Sequence, residues 1–308
     1  MTADPQPAHA AVCASAPPAF DFCRAAFSEW FLGCAVRPFL VLLLAAPLCA
    51  APLAIVRPVV SDSDGGAVLP PAFEHIPGET LFFFCRVGGY QKTSDEKIHL
   101  KYSVEAVDPK GVPLVEPLQQ EVVDEVLPQD KDWMPKIQTE IMVPPLAGSG
   151  TYKILIHVED LIAKTTAESS LPFQVQGRDV APSDTLIVRN FQFYASEEEA
   201  RPLEKAAYRP GEGVWARFDI TGFKYGPKNK VDVSYVTSVI AESGKVLWTQ
   251  PEPAVEQEES FYPKRFVPAS MGITLQNNIA RGAYTIAVQV KDALGDQTYE
   301  TKQIFTVE

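Results

Sequence analysis

From Thr151 to Glu159 the chain alternates, with Tyr152, Ile154, Ile156 and Val158 on one face. The stretch from Ala283 to Lys291 repeats the pattern, setting Tyr284, Ile286, Val288 and Val290 against Thr285, Gln289 and Lys291. Residues 98–104, 137–143 and 231–239 alternate likewise. A period of two sustained over seven to nine residues predicts half-buried antiparallel strands, because successive side chains of a strand point to opposite faces. Strands are expected near 53–60, 80–88, 97–107, 112–116, 136–143, 151–159 and 165–176, separated by Pro-Gly-Glu, Asp-Pro-Lys-Gly and Glu-Ser-Gly-Lys turns. No stretch reads as an amphipathic helix. The Glu-rich run 197–204 is expected to be a solvated surface segment.

The pattern occurs twice. Pro77-Gly78-Glu79 returns as Pro210-Gly211-Glu212, an offset of 133 that also pairs Leu53 with Leu186, Gly89-Tyr90 with Gly222-Phe223, Tyr102 with Tyr235 and Gly111 with Gly244. Further on the offset is 132, matching Gly150-Thr151-Tyr152 with Gly282-Ala283-Tyr284, Asp160 with Asp292 and Phe173-Gln174-Val175 with Phe305-Thr306-Val307. So many matches at a nearly constant offset indicate an internal duplication. The expected organisation is a leader over 1–50, a first domain over 51–176, a polar linker over 177–183 and a second domain over 184–308. The linker is too short to let the domains wander far apart.

Seven short strands in each copy of about 125 residues predict an all-β chain of two tandem antiparallel sandwiches. The pattern Gly-x-Tyr-x-Ile-x-Ile-x-Val-x-Asp, followed by a final Phe-x-Val, resembles the last two strands of immunoglobulin-like bacterial extracellular sandwich domains. The resemblance covers both copies. It implies that Tyr152 and Tyr284 are corner tyrosines whose hydroxyls bond back to the preceding loop. The cysteine pair of antibody domains is absent.

Residues 1–50 read as a separate object. Arg37 precedes an apolar run from Phe39 to Leu44 that continues to Ala50. A positive residue, an apolar core of about a dozen residues and a small final residue match an export signal. Cleavage is expected at Ala50|Ala51. An uncleaved anchor and a lipid anchor on Cys49 are the alternatives: the first is left with too few apolar residues once Leu53–Val60 is needed as a strand, and the second has bulky Leu48 where a small residue is required. The 36 residues ahead of Arg37 are long for the front of a signal.

The chain carries 27 Lys plus Arg against 39 Asp plus Glu, net −12, and removing 1–50 leaves 25 against 36, net −11. An acidic chain without a basic block will not follow a phosphate backbone, so nucleic acid is excluded as a partner. Of five cysteines only Cys85 lies beyond residue 50, so the exported chain forms no internal disulfide and its cores must hold by packing.

Candidate chemistry is sparse. His75, His99 and His157 have no counterparts in the second copy and are expected as solvated surface residues. Cys85 alternates with Leu81, Phe83 and Val87 on an inward face and is expected as a core thiol rather than a nucleophile. No Gly-x-Ser-x-Gly elbow, phosphate loop or dinucleotide fingerprint is present. Asp62-Ser63-Asp64-Gly65 starts like a calcium loop, but Val68 and Leu69 stand where further acids are required. No cofactor or metal is expected.

The remaining candidates are aromatic. The register that sends Val214, Ala216, Phe218 and Ile220 inward puts Trp215, Arg217 and Asp219 outside, and in copy one it puts Phe82, Phe84 and Arg86 outside. Trp133-Met134-Pro135-Lys136 matches Phe261-Tyr262-Pro263-Lys264, either as loop packing or as a recognition loop. Phe82, Phe84, Trp215, Trp133 and Tyr262 therefore form the candidate interaction surface, to be covered either from within the chain or by a partner. These features predict an exported (periplasmic, cell-surface or secreted) non-enzymatic interaction, adhesion or envelope-scaffold protein. Its partner would be a protein or a surface glycan, and the exported chain would have no stable membrane span. A carbohydrate-binding module and an accessory subunit of a surface or secretion complex are the alternatives.

Overall fold

The computed structural model describes residues 51–130 and 132–308; the expected leader and its cleavage site at Ala50 fall at or outside that limit. The first copy contains β1 (Ala54–Ser61), β2 (Glu74–His75), β3 (Thr80–Gly88), β4 (Lys97–Val107), β5 (Leu118–Glu125), β6 (Lys136–Met142), β7 (Gly150–Asp160) and β8 (Thr165–Val175). The second contains β9 (Ile187–Tyr194), β10 (Ala207–Tyr208), β11 (Gly213–Thr221), β12 (Val231–Ala241), β13 (Val246–Thr249), β14 (Ala254–Glu258), β15 (Val267–Thr274), β16 (Gly282–Asp292) and β17 (Gln297–Val307). The only helical turns among the described residues are two short 3-10 segments, Pro128–Asp130 and Pro227–Asn229.

Each copy is a sandwich of unequal sheets. Copy one has a three-stranded sheet ordered β1-β3-β6 and a five-stranded sheet ordered β2-β8-β7-β4-β5. Copy two repeats this as β9-β11-β15 and β10-β17-β16-β12-β13, with β14 also paired to β12. All pairings are antiparallel except the two-residue parallel bridges β2–β8 and β10–β17. The alternating residues form two cores, one built on Leu81, Phe83, Leu100, Tyr152 and Ile154, the other on Val214, Phe218, Val233, Ile286 and Phe305. Leu100 and Val233 are each 1% exposed, which fixes the strand registers as the alternation requires.

The recurring motifs have local causes. In Pro-Gly-Glu the glutamate folds back to cap the turn, Glu79 Oε2 accepting from the Ile76 amide at 3.0 Å and Glu212 Oε2 from the Arg209 amide at 2.7 Å. Gly89 and Gly222 have φ of +72° and +81°, and a Cβ there would sit 2.1 Å from the Pro52 carbonyl or 1.9 Å from that of Thr185, so only glycine fits. Both corner tyrosines close as expected: Tyr152 Oη donates to the Gly148 carbonyl at 2.9 Å and Tyr284 Oη to that of Ala280 at 2.6 Å. Arg57 and Asn190, equivalent by the 133 offset, share a positive φ at register shifts in β1 and β9.

Two expectations are corrected. Residues 112–116 form no strand beyond a bridge from Val107 to Pro113; the strand is β5, further on. Leu114 is apolar because it plugs the core at 2% exposure, whereas β5 is a polar edge strand with nothing packed on most of its side chains. The match between Trp133–Lys136 and Phe261–Lys264 is also displaced. Ile137 pairs with Cys85 and Ala269 with Phe218, so Lys136 opens β6 while Lys264 lies three residues ahead of β15.

Candidate interaction surfaces

The largest departure from the sequence reading is Tyr262. It is 7% exposed and packs into the core of copy one, where its hydroxyl donates to Asp108 Oδ2 at 3.0 Å. Asp108 opens the Asp-Pro-Lys-Gly turn, and its Oδ1 accepts from the amides of Lys110 (2.7 Å) and Val112 (2.9 Å). Arg265 completes the site with an ion pair to Oδ2. The carboxylate is thus fully buried yet bonded by four donors, two from each copy, which is how a buried charge is tolerated. The residue equivalent to Asp108 in copy two is Ala241. Burial, then the adjoining Tyr152 and Asp108, push the Tyr262 phenol far above the usual tyrosine range against the opposing pull of Arg265.

The linker is pinned to both sandwiches. Ser149 Oγ donates to the Gly177 carbonyl at 2.8 Å, and the Ser149 amide donates to Asp179 Oδ1 at 3.1 Å. On the other side Arg178 pairs with Asp219 Oδ1 at 2.5 Å and lies 4.7 Å from the Phe266 ring centroid. Asn190 Nδ2 donates to Asp219 Oδ2 at 2.9 Å. Asp219, expected to face solvent, is therefore completely buried beneath the linker.

A groove of about 360 Å³ opens beside this junction. Its floor is Leu114, Val115, Met142 and Leu146 of copy one; its wall is Glu258 and Lys264 of copy two. Lys264 Nζ sits 2.5 Å from Glu256 Oε1 and also pairs with Glu258. None of these residues was expected to line a binding site, Lys264 entering the sequence pattern only as the end of the Phe261–Lys264 match. Met142 carried a usable signal, being an apolar residue at an outward position of β6, and it is 53% exposed.

The outward aromatics are half-covered from within the chain. The Trp215 indole lies over the two glycines beside it on the sheet: a Cβ on Gly272 would meet its ring at 2.3 Å, and one on Gly213 would meet Nε1 at 2.8 Å. Next to it, the Arg217 guanidinium stacks 4.3 Å above Tyr194 and donates to the carbonyls of Glu197 and Glu199, so the Glu-rich segment closes over this face. In copy one Phe82 and Phe84 share the outer face of β3, half-buried, with Lys136 Nζ 5.1 Å above Phe84. Trp133, 39% exposed, lies in the loop before β6, where its carbonyl accepts from Tyr90 Oη at 2.6 Å. Phe82 and Phe84 come together; Trp133, Trp215 and Tyr262 lie on different elements. Trp248, 40% exposed on β13, was missed, although Val246-Leu247-Trp248 is an apolar run on a short edge strand.

The other polar candidates serve the fold. Asp160 accepts from the amides of Gln91, Ile162 and Ala163, and Asp292 accepts from the amides of Lys224 and Leu294 and from Gln297 Nε2. Each ties the β7–β8 or β16–β17 turn to the loop opposite. His75, expected on the surface, is 3% exposed, edge-on to Phe73 and Phe173. Its Nδ1 stands 3.3 Å from Glu79 Oε2 without hydrogen-bond geometry. The corresponding residue in copy two is Tyr208, packed on Phe193 and Phe305, so the position belongs to the core. His99 and His157 lie on outer faces beside Glu121 (3.1 Å) and Glu168 (3.2 Å). Burial pushes the Cys85 thiol up to about 12. Asp62 and Asp64 bond Ser63 and Gln138, and among the described residues no three His, Cys, Asp or Glu side chains cluster as metal ligands.

No protein-family model and no curated protein matches the chain. Among solved structures, the C-terminal domain of the Streptococcus agalactiae AgI/II polypeptide BspA is similar over 83% of this chain and 100% of its own, at 10% identity and a TM-score of 0.31. A family 123 glycoside hydrolase from Clostridium perfringens is similar over 40% of this chain and 27% of its own, at 14% identity and a TM-score of 0.27. Scores this low carry no argument about function. Among the described residues no helix is long and apolar enough to cross a membrane.

Proposed function

We propose that this is an exported, non-catalytic interaction protein of the adhesion or envelope-scaffold kind, whose two sandwiches (51–176 and 184–308, joined by 177–183) form one stiff unit. The observation that carries the reading is the use made of its buried charge. The four aspartates buried among the described residues, Asp108, Asp160, Asp219 and Asp292, have both carboxylate oxygens engaged in bonds that staple loops or copies together. Groups held this way are spent on rigidity, and rigid sandwiches carry function on loops and sheet faces. Glycan binding is the second reading, favoured by the Trp215 indole lying flat on an outer sheet face.

The test is cell fractionation of the tagged full chain, with N-terminal sequencing and photo-cross-linking from positions 142 and 215. The reading expects a form outside the cytoplasm that begins near Ala51 and cross-links to a partner. Retention in the cytoplasm with residues 1–50 intact would contradict it, and glycan capture lost in Trp215→Ala would favour the second reading.

A further inference from the structure

We infer that the groove across the junction binds an extended peptide presenting a bulky apolar side chain next to an arginine or lysine. This rests on the interaction-protein reading and names the ligand for one of its surfaces. The floor is apolar and open, with Met142 53% exposed and Leu114 and Leu146 beside it. Methionine is unbranched and polarizable, so it adapts to side chains of several shapes. At about 360 Å³ the space lies in the range of pockets that enclose small groups, and it sits between two sandwiches, where binding sites concentrate.

The opposite wall selects charge. Glu258 lines this wall, and Glu256, which is not part of the lining, shares with it the single ammonium of Lys264, so the three-residue cluster is net negative. Burial lowers the Lys264 pKa, but its bonds to the two glutamates outweigh that and hold it raised, so the ammonium stays charged. One oxygen of each glutamate takes no bond from any described residue. A guanidinium carries five donors in a planar fork, and one of them can bond the open oxygen of Glu258 on the wall. Floor and wall belong to different copies, so a ligand must offer an apolar group and a cation a few ångströms apart. Neighbouring residues of an extended peptide do this, since successive side chains project to opposite sides.

The chain has four methionines, Met1, Met134, Met142 and Met271, so methyl-labelled methionine gives few and separable NMR signals. The probes are two acetylated, amidated peptides, Ser-Leu-Arg-Ser and Ser-Leu-Glu-Ser, titrated into the full chain at low salt. The expected result is that the arginine peptide moves the Met142 signal and leaves the core residue Met271 in place. The glutamate peptide should bind up to about five-fold more weakly, in line with one exposed charge pair made or broken. The Glu256→Gln/Glu258→Gln variant should remove that preference, and added salt should shrink it. Equal response to both peptides, or no movement of Met142 at millimolar peptide, overturns the inference. So does broadening of Met142 with protein concentration alone, which would put a second copy in the groove. An exported chain that still cross-links to a partner while ignoring both peptides refutes the groove and leaves the broader reading standing.

Discussion

Replacing Asp108 with alanine should uncouple the two sandwiches. The substitution removes an acceptor of four bonds and strands two partners of unequal burial: Tyr262, 7% exposed, and the Arg265 side chain, 32% exposed. A buried hydroxyl left without a partner costs about 1–3 kcal/mol. Removing one member of a buried ion pair costs about 3–5 kcal/mol, and the partial access of Arg265 to water places this case at the lower end. The two estimates overlap, since both count the loss of one acceptor, so the expected destabilisation is about 3–4 kcal/mol. For a unit of this size that lowers the melting temperature by roughly 6–16 °C. Urea unfolding followed by Trp fluorescence measures it, with Trp133 reporting on copy one and Trp215 and Trp248 on copy two. Asp108→Ala should also separate one transition into two. The Asp108→Ala/Arg265→Met double variant should be less destabilised than the sum of its parts by about 1 kcal/mol or more, because the stranded charge is gone. A shift below about 0.5 kcal/mol with a single transition, the range of an ordinary surface substitution, would refute the reasoning.

Three further outcomes are expected. Gly272→Ala should destabilise by about 1–3 kcal/mol by driving a methyl group into the Trp215 ring, and Trp215→Ala should relieve most of that; equal effects of Gly272→Ala in both backgrounds, by thermal melting, would place the indole elsewhere. Leu100→Ala should cost about 2–5 kcal/mol in copy one, and Val233→Ala somewhat less in copy two because one carbon fewer is lost; chemical denaturation showing either to be neutral would put the strand register out by one. Burial pushes the Cys85 thiol and the Tyr208 phenol each up to about 12, from 9.0 and 10.0, so between those values the unfolded chain gives up protons that the folded chain keeps. Stability from these groups is complete below about pH 9 and should fall as pH rises toward 12, and the part of the tyrosinate absorbance that Tyr208→Phe removes should appear late and together with unfolding; ionisation of that phenol near pH 10 in a folded chain would contradict this.

What the sequence disclosed followed from repetition and alternation. Tyr152 and Tyr284 could be placed because each sits two residues after a glycine and heads an alternating strand in both copies. The edge strands β5, β13 and β14 could not, since a strand wetted on both faces has no reason to alternate. The junction escaped for the opposite reason: searching for likeness between the copies passes over positions where they differ. Asp108 against Ala241 is such a position, and the contact lies there because one copy must receive what the other offers. Tyr262 was read as a surface aromatic because its tetrapeptide matched Trp133–Lys136, a match displaced by four residues from the strand register. The Met142 groove needs two distant segments brought together, and no periodicity reports that.

The central claim is that the sandwiches act as one stiff body. Amide residual dipolar couplings of the weakly aligned protein test it most directly. The account predicts that one alignment tensor fits residues 54–175 and 187–307 together, and that Asp108→Ala splits it into two of different magnitude. Two independent tensors in the unaltered chain would contradict it.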